Sequence, residues 1–144
     1  MKKITQIAFV FILILVLASC KNTKQKIQEH VSNYNISTSI KGGGIVGTSA
    51  KAFLDDNKIE IRIETNLKGD EESISAAKTS FPDLLKDMIK NNQISQELIE
   101  EGVKFDVYFL AYDNTILAQQ LVDKEEMAIL EGSGGGNGKE TAKL

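Results

Sequence analysis

The sequence is poor in the residues from which most catalytic and metal sites are built. Its 144 residues include one Cys (Cys20), one His (His30), one Arg (Arg62) and no Trp. A single Cys excludes a disulfide framework and a thiolate zinc site within one chain, because each needs several cysteines. His30 is the sole imidazole available to a Ser-His-Asp triad, and the sequence contains no Walker or dinucleotide fingerprint. We therefore expect no catalytic residue, no metal and no cofactor.

Basic residues are fewer than acidic ones. The chain carries 17 Lys and Arg against 20 Asp and Glu, a net charge of −3. A nucleic-acid-binding protein usually presents a basic stripe with arginines that grip phosphate. The sequence has neither feature, so we expect no nucleic-acid partner. A modest acidic excess is the usual solubility charge of a small domain.

The longest hydrophobic run lies at the start of the chain. Lys2 and Lys3 are followed by an unbroken apolar run over residues 7–18. A helix of this length spans roughly 18 Å, which is too short for a ~30 Å hydrocarbon core. A basic start followed by a short apolar segment is typical of a secretory signal peptide. Residues 1–19 are therefore predicted to be a removable leader.

The end of the apolar run carries a more specific pattern. Leu17-Ala18-Ser19-Cys20 resembles the lipobox of bacterial lipoproteins. In that family the small residues enter the signal peptidase site, and the Cys thiol takes a diacylglycerol before cleavage. The resemblance implies lipidation of Cys20 by palmitate-type chains and a membrane as the partner of the mature N-terminus. Two or three acyl chains anchor a protein firmly, whereas one chain alone is marginal.

The residues after Cys20 bear on the membrane that carries the chain. Lys21 stands where some Gram-negative lipoproteins have an Asp as an inner-membrane retention signal. The acidic run of many surface-exported lipoproteins is absent from this stretch as well. We expect an outer-membrane anchor with the domain facing the periplasm, and a Gram-positive cell surface is the alternative. Residues 20–26 are interpreted as the lipidated Cys and a short tether.

Two stretches have the two-residue alternation of amphipathic strands. Residues 58–64 place three isoleucines on one side and four charged side chains on the other. A turn with the sequence Asp-Asp-Asn precedes them, so residues 46–65 are predicted to form a hairpin. A second hairpin is predicted over residues 103–122, and a shorter alternation predicts a strand at 36–40. Acidic side chains flank Arg62 on the polar side, where opposite charges support one another, so we do not interpret them as a catalytic carboxylate pair.

A helical segment, residues 81–101, is predicted between the hairpins. Ser80 and Asp83 form a candidate capping box, with Pro82 in the first turn. The acidic run at 70–72 lacks the ligand spacing of an EF-hand. It is interpreted as acids at the start of a helical turn.

Shorter helices are predicted elsewhere in the chain. Apolar residues at helical spacing predict one over residues 24–34. Ser95 is a candidate cap for a helix that ends at Gly102, a residue suited to a left-handed stop. Asp123 is a candidate cap for a final helix that ends at Leu130.

The second hairpin carries the candidate interaction surface. Tyr108, Leu110 and Tyr112 share one side of their strand by alternation, and this side is too apolar for a plain solvated face. One interpretation is that a helix or the N-terminal segment covers them. The other is that they form a recognition surface, and the sequence leaves both open.

These patterns predict an α+β fold. We expect an antiparallel sheet of four to five strands from two hairpins, with the connecting helical segment packed on one face. Residues 27–131 are predicted to form a single domain, and the Gly-rich residues 132–144 a disordered tail. The expected function is a non-catalytic binding domain tethered to the bacterial envelope. The alternatives are a periplasmic inhibitor or immunity protein that blocks a toxin or wall-degrading enzyme, and a cofactor-free hydrolase.

Overall fold

The computed structural model describes residues 21–38, 40, 42 and 44–133. The leader, Cys20 and residues 134–144 of the predicted tail lie outside these ranges. Within the described ranges no helix is both long and apolar enough to cross a membrane.

Four strands form one sheet. They are β1 (Ile45–Phe53), β2 (Lys58–Thr65), β3 (Lys104–Leu110) and β4 (Ile116–Val122), and they lie side by side in chain order. Both predicted hairpins are confirmed, because β1 pairs antiparallel with β2 and β3 pairs antiparallel with β4. In the first turn Asn57 has a left-handed φ of 46°, a conformation that Asn tolerates better than most residues.

The middle pair departs from the predicted antiparallel sheet. β2 and β3 run parallel, from Lys58 opposite Lys104 to Glu64 opposite Leu110. The long helical connection returns the chain to the end of the sheet where β2 began, so β3 starts there and runs in the same direction. The predicted α+β class is confirmed, with a mixed and mostly antiparallel sheet.

The helices are α1 (Thr23–Ser37), α2 (Glu71–Lys90), α3 (Gln96–Glu100) and α4 (Lys124–Ser133). α4 extends beyond the predicted end at Leu130. It includes the first two residues of the predicted tail.

The predicted start of the connecting helix at Ser80 is wrong. Asp70 caps the helix ten residues earlier, where its Oδ1 accepts a hydrogen bond from the Ser73 amide at 2.9 Å. The acidic run at 70–72 therefore does lie at a helix start, as predicted. Ser80, Pro82 and Asp83 lie inside α2, and the Ser80 hydroxyl donates to a carbonyl of the preceding turn. Pro82 is tolerated on the exposed side of the helix, although its ring removes one helical hydrogen bond.

The predicted strand at 36–40 is wrong as well. α1 continues to Ser37, whose hydroxyl donates to the Asn33 carbonyl at 2.6 Å. Tyr34 is buried, and its hydroxyl lies 2.6 Å from the Thr48 hydroxyl of β1. Contacts with the sheet therefore extend the helix through residues whose local pattern favours a strand.

Three predicted helix termini are confirmed. The Ser95 hydroxyl accepts from the Leu98 amide at 3.3 Å, and the Asp123 carboxylate accepts from the Glu126 amide at 2.9 Å. Gly102 has a φ of 95°, the left-handed conformation expected where α3 ends.

The helices pack against one side of the sheet, which we call the covered face. The Phe81 ring of α2 lies 6.1 Å from the Phe109 ring, and the His30 ring of α1 meets Phe105 edge-on at 5.5 Å. Burial of each large apolar side chain here contributes about 1.5–3 kcal/mol. The central side chains of this face are Ile59, Ile61, Ile63, Phe105, Val107, Phe109 and Val122, all buried.

Candidate binding face

The other side of the sheet is the candidate functional site, and we call it the open face. Strand side chains alternate between the two sides, so the residues between the buried isoleucines of β2 lie on the open face together with their partners in register. These residues are Gly47, Ser49, Lys51, Phe53, Lys58, Glu60, Arg62, Glu64, Lys104, Asp106, Tyr108, Leu110, Ile116, Gln119 and Leu121.

A buried carboxylate organises the centre of the open face. Asp106 is 7% exposed and accepts two hydrogen bonds, from the Gln119 amide at 3.0 Å and from the Tyr108 hydroxyl at 3.1 Å. Burial raises the pKa of the Tyr108 hydroxyl, and the charge of Asp106 raises it further. The phenol is therefore held protonated, in a fixed orientation beside the carboxylate.

Arg62 lies next to this network. It pairs in register with Tyr108 across the β2–β3 ladder and with Ser49 across the β1–β2 ladder. Its Nη1 lies 3.7 Å from Glu60 Oε1, which is an ion-pair distance but too long for a direct hydrogen bond. The Arg62 side chain is 41% exposed. Its planar fork of N–H donors is thus accessible to a carboxylate or carbonyl of a partner.

The open face is basic at the end where β2 and β3 begin. Lys58 and Lys104 are neighbours in the parallel ladder. The ammonium groups of Lys51 and Lys58 lie 5.1 Å and 5.0 Å from the centre of the Phe53 ring, within the range of cation–π attraction. Three lysines thus border the polar centre on this side.

The opposite end of the open face is apolar on its β4 side. Leu110 is buried, at 1% exposure, between Glu64 of β2 and Ile116 of β4 in the register. Ile116 is 49% exposed, and Tyr112, just past the end of β3, is 69% exposed. On the β4 side this end therefore presents apolar surface to solvent, whereas Glu64 on β2 is exposed and charged.

The structure separates the three residues of the predicted interaction surface. Tyr108 is half-buried in the polar network, Leu110 is packed within the sheet face, and Tyr112 lies beyond the strand with its amide donating to the Leu67 carbonyl at 2.9 Å. Among the described residues, none of these three belongs to the buried apolar cluster formed by the helices and the covered face. Of the three, Tyr108 and Tyr112 are accessible to a partner.

His30 belongs to a different part of the molecule. It borders a groove of about 370 Å³ between α1 and the segment that leads into α3. Its Nε2 lies 3.0 Å from the Gln93 carbonyl, and burial lowers its pKa. The neutral ring donates to that carbonyl and packs on Phe105, which is a structural role.

The sequence reasoning missed three residues of this surface region. Asp106 and Gln119 form the centre of the open face, and Asn35 of α1 bonds to the main chain of β1. The position of a charged residue between the apolar Phe105 and Val107 of β3 was the sequence feature that could have indicated Asp106. Nothing local distinguishes Gln119 or Asn35, because both act through contacts with elements distant in sequence.

The open face combines fixed hydrogen-bond donors and acceptors with apolar surface at Ile116. In the part of the chain that the structure describes, no group of three or more His, Cys, Asp and Glu side chains is placed to hold a metal ion. No family model matches the chain, and no curated protein or solved structure matches it either.

Proposed function

We propose that this chain is a non-catalytic binding domain of the bacterial envelope, anchored by a lipid on Cys20, that takes a protein partner on its open face. One observation carries the proposal. The open face lies on the side of the sheet opposite the ring contacts of α1 and α2, and it has a hydrogen-bonded polar network at its centre.

The composition of the open face favours a protein partner. Arg and Tyr are the side chains most enriched at the energetic centres of protein interfaces. Here Arg62 and Tyr108 are register neighbours at the middle of the sheet. Tyr108 is oriented by Asp106, so little side-chain entropy is lost when a partner binds.

The charges of the face indicate the chemistry of the partner surface. A carboxylate opposite Arg62 would pair with its exposed guanidinium, and further acidic groups would face Lys51, Lys58 and Lys104. Apolar partner side chains would cover Ile116, which is half-exposed. The expected partner surface is therefore acidic opposite the lysines at one end and apolar opposite Ile116 at the other.

α1 begins inside the predicted tether of residues 20–26, so the segment between Cys20 and the folded domain is shorter than predicted. Thr23 begins α1 three positions after Cys20, a separation of at most about 10 Å in an extended chain. The first turn is held against α3, because Lys26 pairs with Glu97 at 2.8 Å and with Glu101. A lipid on Cys20 would thus hold the α3 end of the helix layer close to the bilayer.

The binding proposal is tested with detergent-solubilised envelope and three forms of the full chain. We expect the wild type and Lys78→Glu, a charge change on the exposed side of α2, to capture the same protein. Arg62→Glu should lose it, since the reversed charge repels an acidic partner. Capture that is equal with all three forms would contradict the proposed face. A captured toxin or wall-degrading enzyme held at roughly nanomolar affinity would identify the inhibitor class.

The anchor is tested separately with radiolabelled palmitate. We expect label in the wild-type chain and none in Cys20→Ala, with the wild type requiring detergent for extraction. Release of the unlabelled wild type into plain buffer would contradict the anchor and leave the binding result unaffected.

A further inference from the structure

The two edge strands of the sheet, β1 and β4, differ in whether another element occupies their outward main-chain groups. On β1, the side-chain amide of Asn35 donates to the Ala50 carbonyl at 2.9 Å, and its oxygen accepts from the Ala50 amide at 2.7 Å. Both main-chain groups of Ala50 are therefore occupied, as a neighbouring strand would occupy them. This contact blocks the middle of the β1 edge against strand addition.

On β4 the outward main-chain groups belong to Gln119 and Leu121. The Thr65 hydroxyl of β2 donates to the Leu110 carbonyl, so the main-chain groups of Leu110 face β2. Main-chain groups alternate in direction along a strand, so every second residue of β3, counted back from Leu110, also faces β2. The intervening residues of β3 bond to Ala118, Gln120 and Val122 in register, which leaves Gln119 and Leu121 facing outward. Within the described ranges, no main-chain hydrogen bond joins these two residues to another element.

β4 also lacks the charged residues and proline that protect many edge strands. None of its seven residues is charged, and none is proline. Natural edge strands are commonly protected from pairing by lysine, proline or a covering element. α2 and α4 also contact β4, but Gln119 and Leu121 are exposed, so the residues whose main chain faces outward are accessible to another uncharged strand.

A bulge places two exposed apolar residues at opposite ends of the same face of β4. Ile116 pairs with Leu110 and Leu121 pairs with Asp106, and these partners on β3 are four residues apart. Ile116 and Leu121 therefore both lie on the open face, although five positions separate them. They are 49% and 40% exposed. Gln119, opposite Tyr108, lies midway between them.

We propose that the β4 edge binds the β4 edge of a second copy of this chain, antiparallel, about a two-fold axis through Gln119. The bulged spacing then brings Ile116 of each copy opposite Leu121 of the other. Both exposed side chains become covered, and the uncharged strands bring no like charges together. The product is an eight-stranded sheet with one continuous open face.

The dimer is expected to be weak in solution and favoured on a membrane. A single seven-residue strand pair buries less surface than the roughly 1,200 Å² of a standard stable interface. A two-fold axis perpendicular to the sheet puts both copies of α1 on the same side. If the proposed anchor on Cys20 holds, both anchors reach one bilayer, which raises the effective concentration of each copy for the other.

The first test is disulfide trapping in the full chain, purified in detergent. Cys20→Ser removes the native thiol, and Gln119→Cys places a thiol on the axis. In an antiparallel ladder, two opposite residues that exchange both main-chain hydrogen bonds have Cα atoms about 5.5 Å apart. This separation fits a disulfide. The matched control is Ser49→Cys, exposed on the open face at the blocked edge. We expect about tenfold more cross-linked dimer from Gln119→Cys than from Ser49→Cys, because disulfide formation needs this close approach. Equal cross-linking of the two would overturn the proposal.

The second test checks the identity and register of the occupant. In the Gln119→Cys chain, Ile116→Glu or Leu121→Lys alone should reduce cross-linking about fivefold, because two apolar contacts are lost per dimer. The two changes combined should restore it to within about twofold, because each Glu then faces a Lys of the other copy. Failure of the combined variant to recover, with circular dichroism showing a folded chain, would overturn the proposal. If Ile116→Glu or Leu121→Lys unfolds the chain, the proposal is decided by the comparison of cross-linking between Gln119→Cys and Ser49→Cys. All of these measurements use unlipidated chain, so failure of the anchor does not affect them.

Discussion

Ile61 and Arg62 are adjacent in β2, yet they belong to opposite sides of the molecule. Ile61 is fully buried beneath the helices, and Arg62 extends into solvent from the open face. The covered face carries the apolar burial that stabilises the fold. The open face contributes less to that burial and carries most of the charged side chains of the sheet.

The largest difference between the faces should appear when these two neighbours are truncated. Ile61→Ala is expected to lower the free energy of unfolding by about 2–5 kcal/mol, because it leaves a cavity in the core. Arg62→Ala should change it by no more than about 0.5 kcal/mol, because the side chain is exposed and its ion pair is long. Denaturant unfolding measures both, and similar losses would break the distinction between the faces.

The next effect concerns the edge where the two faces meet. Asn35→Ala removes two hydrogen bonds to Ala50 and is expected to cost ~2 kcal/mol. Asn33→Ala is the matched control, since Asn33 lies on the same helix with an exposed side chain. We expect a change within about 0.5 kcal/mol for the control, measured by thermal unfolding. A large loss from both variants would show general weakening of α1 instead of loss of the contact to β1.

A smaller effect is expected from the polar centre of the open face. Asp106→Ala leaves the Tyr108 hydroxyl and the Gln119 amide without their shared acceptor, at a cost of about 1–2 kcal/mol. Asp106→Asn removes the charge but keeps an acceptor, so it should cost less. It should also lower the pKa of Tyr108, because the charge of Asp106 helps to raise it. NMR titration of the tyrosine ring carbons measures this shift, and an unchanged pKa would leave burial and the charge of Glu60 as its causes.

The smallest effect is a pH dependence on the covered side. Burial lowers the pKa of His30, whose ordinary value is 6.5, so the unfolded chain binds a proton more readily than the folded one. The contribution of neutral His30 to stability is therefore complete above pH 6.5. It is lost as the pH falls below that value toward the lower pKa of the folded state. His30→Gln should flatten the slope of unfolding free energy between pH 7 and pH 5, since His30 is the single His of the chain. If the slope does not change, groups other than His30 cause the pH dependence of stability in this range.

Strand alternation was the part of the fold best predicted from sequence. The three isoleucines of β2 specify the buried side unambiguously, and both hairpins follow from such patterns. The parallel pairing of β2 and β3 was missed because alternation is identical in parallel and antiparallel strands. The start of α2 was misplaced because Ser80 and Pro82 satisfy a local starting pattern, while burial of Phe81 holds the helix continuous through them.

The candidate site was less predictable than the fold. The alternation of residues 58–64 correctly put Arg62 on the polar side of its strand. Its closeness to Tyr108 depends on a pairing between strands about 40 residues apart, which no local pattern encodes. Asp106 became central because Gln119 and Tyr108 both reach it, and that convergence requires three-dimensional register.

The positions of the contacts along α1 also determine the order in which these contacts would break under a pulling force. Any tension applied at residue 21 enters the helix at its first turn, where Lys26 is held to α3 by ion pairs. Asn35, which closes the edge of β1, lies more than two turns further along the same helix. A force applied at residue 21 would thus break the ion pairs of Lys26 first. The β1 edge would become accessible only after α1 has separated from the sheet.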